Sequence, residues 1–147
     1  RPILLVGGAL SASAAVAQLT GMPPASVRPG SWNYAATATG SEASFMDPSG
    51  TVQLAIRCTR ATRIVGISMR AVPATSLSVS TSSLSRSLPA AFDAASARVN
   101  AQLPARDGLL DAIAFSQGRF SVSVTGLSPL VLPAWPEPAR AIEDCRN

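Results

Sequence analysis

Alternation of apolar and polar side chains is the feature that most restricts how this chain of 147 residues can fold. Residues 51–58 show it most clearly, with an apolar set made up of Val52, Leu54, Ile56 and Cys58. A period of two is that of a β-strand with one buried face. The same period recurs at residues 31–39, 63–70, 76–81, 97–103 and 119–124. The alternation therefore predicts a mainly β protein.

Turn residues between these segments predict antiparallel neighbours. The turn at residues 47–50, DPSG, places proline at the first central position and glycine at the end. Only a short link separates 51–58 from 63–70, so these two strands are predicted to form a hairpin. Residues 85–95, SRSLPAAFDAA, follow no single period. Six or seven short strands in all predict an antiparallel β-sandwich or a partly open barrel.

Two helices are predicted late in the chain. In the first, apolar residues recur at spacings of three and four, at Leu109, Leu110, Ile113 and Ala114. Asp107 precedes this segment as a candidate N-cap. Residues 136–145, PEPARAIEDC, form the second helix, with Pro138 in its first turn, where proline is tolerated. The inward face of this helix is predicted to contain Ala139, Ile142 and Cys145.

The first 17 residues are interpreted as the tail of a secretory signal peptide. An apolar stretch follows one arginine, and residues 15–17, AVA, form a small-x-small cleavage site before Gln18. A retained membrane anchor and a buried core element are the alternatives, although the stretch is short for a membrane span. Residues 18–31 are then a flexible lead-in rich in proline and glycine, and residues 32–147 are a single β-rich domain. The mature form, with no stable membrane span, is predicted to reside in the periplasm or outside the cell.

Cys58 and Cys145, the two cysteines of the chain, are predicted to form a disulfide. In an oxidising compartment a pair of cysteines most simply forms one bond. Cys58 belongs to the inward face of a strand and Cys145 to that of the last helix, so the bond would tie this helix to the sheet. Two buried free thiols are the alternative. Two cysteines without histidine cannot build a zinc site.

Composition excludes several catalytic chemistries. The twelve basic residues are all arginine, and the chain has neither histidine nor lysine. Histidine-based catalysis and Schiff bases are therefore ruled out. Asp107 and Asp111 are the best carboxylate pair for a hydrolase. Asp107, however, resembles a helix cap, and Asp111 resembles a solvated residue. We expect no enzymatic activity, cofactor or metal. The net charge of +4, without a concentrated basic stripe, also predicts no nucleic-acid binding.

Three arginines around the tip of the predicted hairpin are the leading candidates for binding, namely Arg57, Arg60 and Arg63. Clustered guanidinium groups can hold a carboxylate or a phosphate through paired hydrogen bonds. A solvated charged turn that blocks edge aggregation is the alternative. Residues 19–31 are the second candidate, as a proline-rich arm that inserts into a partner. Trp32 and Trp135 are predicted to pack in the core.

The layout of residues 51–147 resembles that of small secreted envelope proteins of the invasion-associated-locus-B type and of accessory proteins found near type VI secretion genes. A strand reading LAIRC, a segment reading DGLLDAIAFSQGRFSV and a last helix ending in IEDC carry the resemblance. It implies an exported, non-catalytic β-sandwich with one cysteine in a hairpin and one in the terminal helix. We therefore predict a non-enzymatic β-domain that binds a protein or an envelope component. A small β-barrel protease inhibitor using residues 19–31 is the alternative.

Overall fold

The computed structural model describes residues 26–147. This part of the chain contains ten strands and two helices. The strands of a six-stranded sheet are β1 (Ser31–Thr37), β2 (Gly40–Met46), β3 (Val52–Thr59), β4 (Ile64–Arg70), β7 (Ala91–Asp93) and β8 (Arg98–Pro104). Those of a four-stranded sheet are β5 (Ser76–Ser80), β6 (Ser85–Pro89), β9 (Arg119–Ser123) and β10 (Leu130–Pro133). The helices are α1 (Gly108–Ala114) and α2 (Pro136–Asp144).

Both sheets are antiparallel, with the spatial orders β1-β2-β3-β4-β8-β7 and β10-β9-β5-β6. Their inner side chains share one apolar core. The predicted mainly β fold with a short late helix and a C-terminal helix is therefore confirmed, although the described residues contain ten strands and not six or seven. The irregular segment 85–95 accounts for part of this difference. It contains β6 and β7, which belong to different sheets, so the chain changes sheet where the pattern breaks.

The β3–β4 hairpin forms as predicted and occupies the centre of the larger sheet. Thr59 pairs with Ile64, which leaves residues 60–63 as the turn. Arg63 closes the turn with a φ of 52°, in the left-handed region. The inward side chains of β3 are fully buried, and these are Leu54, Ile56 and Cys58. The predicted face therefore packs in the core from Leu54 onward, whereas Val52, its fourth predicted residue, is only half-buried and is not part of the core.

Residues 28–32, which lead into β1 and begin it, contact the free edge of β10. The amide of Arg28 donates to the Val131 carbonyl at 2.8 Å, and Trp32 Nε1 donates to the Pro133 carbonyl at 2.8 Å. Gly30 lies between them with a φ of 147°, and a Cβ there would overlap the backbone of β2. These contacts occupy carbonyl groups that an exposed edge strand would offer to another chain.

Most of the predicted N-terminal region lies outside the described residues. This applies to the signal segment 1–17 and to residues 18–25 of the lead-in. Residues 26–31 are described, and the contact of Arg28 with β10 ties this end of the lead-in to the domain. Within residues 26–147, no helix is long and apolar enough to cross a membrane.

The two tryptophans have different environments. Trp32 is 6% exposed and packs against the rings of Phe45 and Phe120, with centroid distances of 5.5 and 6.2 Å. Trp135 is 44% exposed, so the prediction of a core position is correct for Trp32 and wrong for Trp135. The Trp135 amide donates to the Pro133 carbonyl, in a tight turn between β10 and α2. This turn interrupts the alternation on which the prediction relied.

Asp107 precedes α1 in the predicted role of N-cap. Its carboxylate accepts a hydrogen bond from the Leu109 amide at 2.9 Å, which satisfies a free donor of the first turn. Arg86 Nη2 donates to the same carboxylate at 2.9 Å, and this contact holds the pKa of Asp107 below its ordinary value. Ala114, predicted to face inward, is only half-buried. The buried residues of the helix are Leu109, Leu110, Ala112 and Ile113.

The Asp107→Ala substitution is expected to lower the free energy of unfolding by about 1 kcal/mol at neutral pH, because the cap acceptor is lost. Asp107→Asn keeps an oxygen for the cap and loses only the charge that attracts Arg86, so its effect is smaller. Because the folded pKa is lowered, the charge of Asp107 stabilises the fold fully above the ordinary pKa of 3.8 and progressively less below it. In urea unfolding, the wild type should have a higher free energy of unfolding than Asp107→Asn at neutral pH, and the two values should converge in acid. Identical neutral curves for all three proteins would contradict this assignment.

The last helix, α2, packs against β1, β2 and β3, and the disulfide lies at its end. Cys58 and Cys145 are bonded as predicted, with 5.4 Å between their Cα atoms. The apolar face of the helix is not the predicted one, because Ala139 is only half-buried. The buried residues are Pro138, Ala141 and Ile142. With Cys145 they follow the mixed three-and-four spacing of an α-helix, whereas the prediction used a spacing of three alone.

Candidate functional site

The three arginines predicted as a binding cluster contact different parts of the molecule. Arg57 lies on the outer face of the larger sheet, where its Nε donates to Glu42 Oε2 at 2.7 Å. Arg60 Nη2, in the turn, is 3.8 Å from Asp144 Oδ1 of α2. Arg63 Nη1 donates to a main-chain carbonyl just after α2 at 3.1 Å. Arg60 and Arg63 therefore face the C-terminal segment, and only Arg57 faces the outer surface of the sheet.

Arg60 takes part in a polar network that fixes α2 to the sheet. The hydroxyl of Tyr34 on β1 donates to Asp144 Oδ2, and this bond lowers the pKa of Asp144. The Arg140 guanidinium lies over the Tyr34 ring, 3.9 Å from its centroid. These contacts give Arg60 a structural neighbour in α2, and the binding role predicted for it stays a prediction.

Arg57 stands beside a cleft of about 480 Å³ on the outer face of the larger sheet. Small residues of β3 and β4 form its floor, namely Ala55, Gly66 and Ser68. Long polar side chains surround this floor, namely Glu42, Arg57, Arg98, Asn100 and Gln102. The surface is concave because the side chains at its centre are short and those around it are long.

Strand register brings the residues of the cleft together from distant parts of the chain. One row of cross-strand partners consists of Glu42, Arg57, Gly66 and Gln102. The next row consists of Ala55, Ser68 and Asn100. Gly66 leaves the centre open, since the nearest atom to a Cβ at this position, apart from its chain neighbours, would be 3.9 Å away. The strand order β2-β3-β4-β8 therefore builds the cleft.

Arg98, the first residue of β8, is held firmly at the cleft. Its guanidinium donates to Ser68 Oγ at 2.6 Å, to the Ser68 carbonyl at 2.9 Å and to the Val52 carbonyl at 3.0 Å. All three acceptors are neutral. Burial lowers the pKa of Arg98, an effect that the charge of Glu42 opposes. An arginine titrates so far above neutrality that the group stays charged.

The charge of Arg98 has no acidic partner in direct contact within the described part of the chain. Asp93 is its register partner on β7, but that carboxylate accepts from Ser96 Oγ at 2.6 Å and from the Ala95 amide at 3.3 Å. No ion pair formed within residues 26–147 includes Arg98. A guanidinium has five N–H groups, and the neutral acceptors use three of them. Two donors therefore remain for a ligand.

Asp107 and Asp111 do not form the carboxylate pair considered for a hydrolase. Asp107 caps α1 and binds Arg86, whereas Asp111 accepts from Arg146 Nη1 at 2.6 Å. Each carboxylate is therefore bound to a different arginine. Within the described residues, no group of three or more cysteine or acidic side chains could hold a metal ion.

Comparisons with protein families, curated proteins and solved structures find no match for this chain. The resemblance to the invasion-associated-locus-B type therefore stays a prediction. The functional argument rests on the residues of the cleft and on the surfaces of the two sheets.

Proposed function

We propose that this protein is an exported, non-catalytic binding domain that recognises an anionic group of a protein or an envelope component in the cleft of the larger sheet. The observation that carries the proposal is Arg98, a fixed cation with two free donors and, among residues 26–147, no acidic partner in direct contact. The disulfide supports export, because such bonds persist in oxidising compartments.

The geometry of Arg98 favours anions that present two oxygens side by side, which guanidinium groups bind well. Carboxylate and phosphate accept two parallel hydrogen bonds from arginine. Because three bonds to Ser68 and Val52 already restrict this side chain, binding costs little additional side-chain entropy. The cleft thus offers a preorganised anion site at its edge.

Arg57 gives the cleft a second cation that a ligand can recruit. It is paired with Glu42, and its side chain is 61% exposed. An exposed ion pair of this kind contributes about 1 kcal/mol or less. An anion in the cleft can therefore compete with Glu42 for Arg57 at small cost. Of the three arginines predicted from the sequence, Arg57 is the one that this proposal uses.

We predict that Arg98→Lys weakens the binding of an acidic probe by about tenfold or more, because lysine keeps the charge but not the paired donors. The probe is an acetylated tetraglutamate peptide, titrated into labelled protein and followed by NMR. Wild-type shifts should centre on Ser68, Arg98 and Asn100, and they should shrink as salt is added.

The matched control for this titration is the double variant Arg60→Gln/Arg63→Gln, which removes two arginines facing the C-terminal segment. It should bind the probe as the wild type does. Equal binding by wild type and Arg98→Lys would overturn the cleft as the site. A loss in the double variant alone would return the site to the hairpin turn.

Export predicts that Gln18 is the first residue of the protein in the producing cell. The reason is the small-x-small site at residues 15–17. N-terminal sequencing of protein from the envelope or medium checks this. An intact first segment in the membrane fraction would instead support a retained anchor.

A further inference from the structure

The outer face of the smaller sheet is covered with hydroxyl groups. On adjacent strands the outward side chains are Ser78, Ser80, Ser85, Ser87, Ser121 and Ser123. Ser80 and Ser85 are hydrogen-bonded at 2.7 Å, and the Ser78 and Ser87 hydroxyls are 3.4 Å apart. At one end of this face lies a groove of about 350 Å³, and its described lining includes no carboxylate.

Two exposed aromatic residues are close along the chain to this groove, although neither ring is part of its lining. Phe115 is 79% exposed and Trp135 44%. Phe115 lies two positions before Gln117, which lines the groove. Trp135 lies two positions after Pro133, the register partner of Arg119, which also lines it. Such side chains offer a rigid apolar surface for contact with a ligand.

A buried hydroxyl, that of Ser116, joins the segments that carry these rings. It donates to the Arg119 carbonyl at 2.7 Å and accepts from the Ser82 amide at 3.1 Å. Ser82 Oγ in turn accepts from the Gln117 amide at 3.0 Å. The backbone before Trp135 is bound to the same loop, because the Ala134 amide donates to the Gly118 carbonyl at 3.1 Å. The turn 81–84, the loop 115–118 and the start of α2 therefore form one connected corner.

We infer that this corner binds a neutral polysaccharide, with a sugar ring packed on Trp135, a further apolar contact at Phe115, and sugar hydroxyls bonded to serines of the groove and to Gln117. A pyranose has an apolar C–H face and a rim of hydroxyl groups, so it needs an aromatic surface beside groups that both donate and accept. Serine hydroxyls and a glutamine amide do both. A rigid aromatic side chain loses little entropy on contact.

This site is separate from the anionic cleft, which lies on the outer face of the other sheet. Binding in the cleft depends on Arg98 and falls with salt. Binding at the aromatic corner involves an uncharged ligand and is insensitive to salt. Either proposal can therefore fail while the other holds.

Tryptophan fluorescence tests the inference directly, since the chain has one buried and one exposed indole. The probes are hexasaccharides of glucose and of N-acetylglucosamine, added to the full chain. We expect one series to shift the emission to shorter wavelength and to reduce quenching by acrylamide, because the sugar covers Trp135. Trp135→Ala and Phe115→Ala should each weaken binding. Loss of the ring that carries the stacked sugar should raise the dissociation constant about tenfold.

Two further variants keep the test decisive. Trp135→Phe retains an aromatic surface and should bind better than Trp135→Ala in a calorimetric titration. Leu127→Ala removes an exposed apolar side chain away from the groove and should bind as the wild type does. The inference is overturned if neither series protects Trp135, or if Trp135→Ala and Phe115→Ala both bind with wild-type affinity. Protection of Trp135 by phosphatidylcholine vesicles and not by either sugar would also overturn it and assign the corner to lipid.

Discussion

Removal of the Cys58–Cys145 bond is expected to lower the free energy of unfolding by about 4–5 kcal/mol. The two cysteines are 87 positions apart, so the bond closes a large loop and removes many conformations from the unfolded chain. Both side chains are also fully buried in the core. The measurement is urea unfolding of the oxidised protein and of the double variant Cys58→Ala/Cys145→Ala.

Hydrogen exchange of the double variant should locate the change. The amides of Ala141 and Ile142 are expected to lose protection first, because the bond attaches α2 to β3. Pro138, Ala141 and Ile142 remain packed, and Tyr34 still binds Asp144, so the helix loosens before the sheets and does not detach at once. The wild type treated with a reductant gives the same comparison without substitution. A change below about 1 kcal/mol in both experiments would contradict the expected contribution.

Gly40→Ala should destabilise the fold by about 3 kcal/mol. Gly40 begins β2, and a Cβ there would overlap the Cys58 carbonyl oxygen and lie 3.0 Å from the carbonyl carbon. These are main-chain atoms of the neighbouring strand, fixed by the β2–β3 ladder and by the disulfide at Cys58. The backbone cannot yield without separating the two strands. Thermal and urea unfolding of the variant measure the effect.

Gly66→Ala is the matched control for Gly40→Ala. Gly66 lies in β4 of the same sheet, and a Cβ added there would have the Ala101 carbonyl oxygen, at 3.9 Å, as its nearest contact outside the adjacent residues. The substitution should be neutral, or stabilising by up to about 1 kcal/mol, because alanine loses less backbone entropy than glycine. If both variants lose the same free energy of unfolding, the destabilisation of Gly40→Ala comes from strand propensity and not from the overlap.

The sequence predicts those parts of the fold that depend on neighbouring residues. The alternation at 51–58 identifies β3 and its buried face, because successive side chains of a strand point to opposite sides. Asp107 is recognisable as a cap because its oxygen bonds a backbone amide two residues away. The disulfide follows from the inward faces of Cys58 and Cys145.

Departures from the prediction occur where the chain changes direction or sheet. The segment 85–95 divides between two sheets, so no single period describes it. Trp135 follows an apolar strand, yet the turn before α2 turns it partly into solvent. In α2 a spacing of three alone predicts Ala139 on the inward face, whereas the preceding residue, Pro138, is the buried one.

At the candidate site, the sequence shows which residues are polar, and the fold determines what they contact. The polar face of residues 97–103 is visible in the sequence, and it contains Arg98. Alternation cannot show that Ser68 and Val52 fix this guanidinium, or that Asp93 turns to its own loop. Those facts depend on the register of strands distant in the chain.

The order of amino acids is enough to establish the β class, the buried face of β3, the helix cap and the partners of the disulfide, because each depends on periodicity or on short-range geometry. Which arginines share a surface is established by the folded chain alone. Folding separates Arg57 from Arg60 and Arg63, brings Arg57 and Arg98 into the lining of one cleft, and leaves Trp135 partly exposed. Strand order and register produce this arrangement, and they are set by packing of the whole core, which no local stretch of sequence encodes.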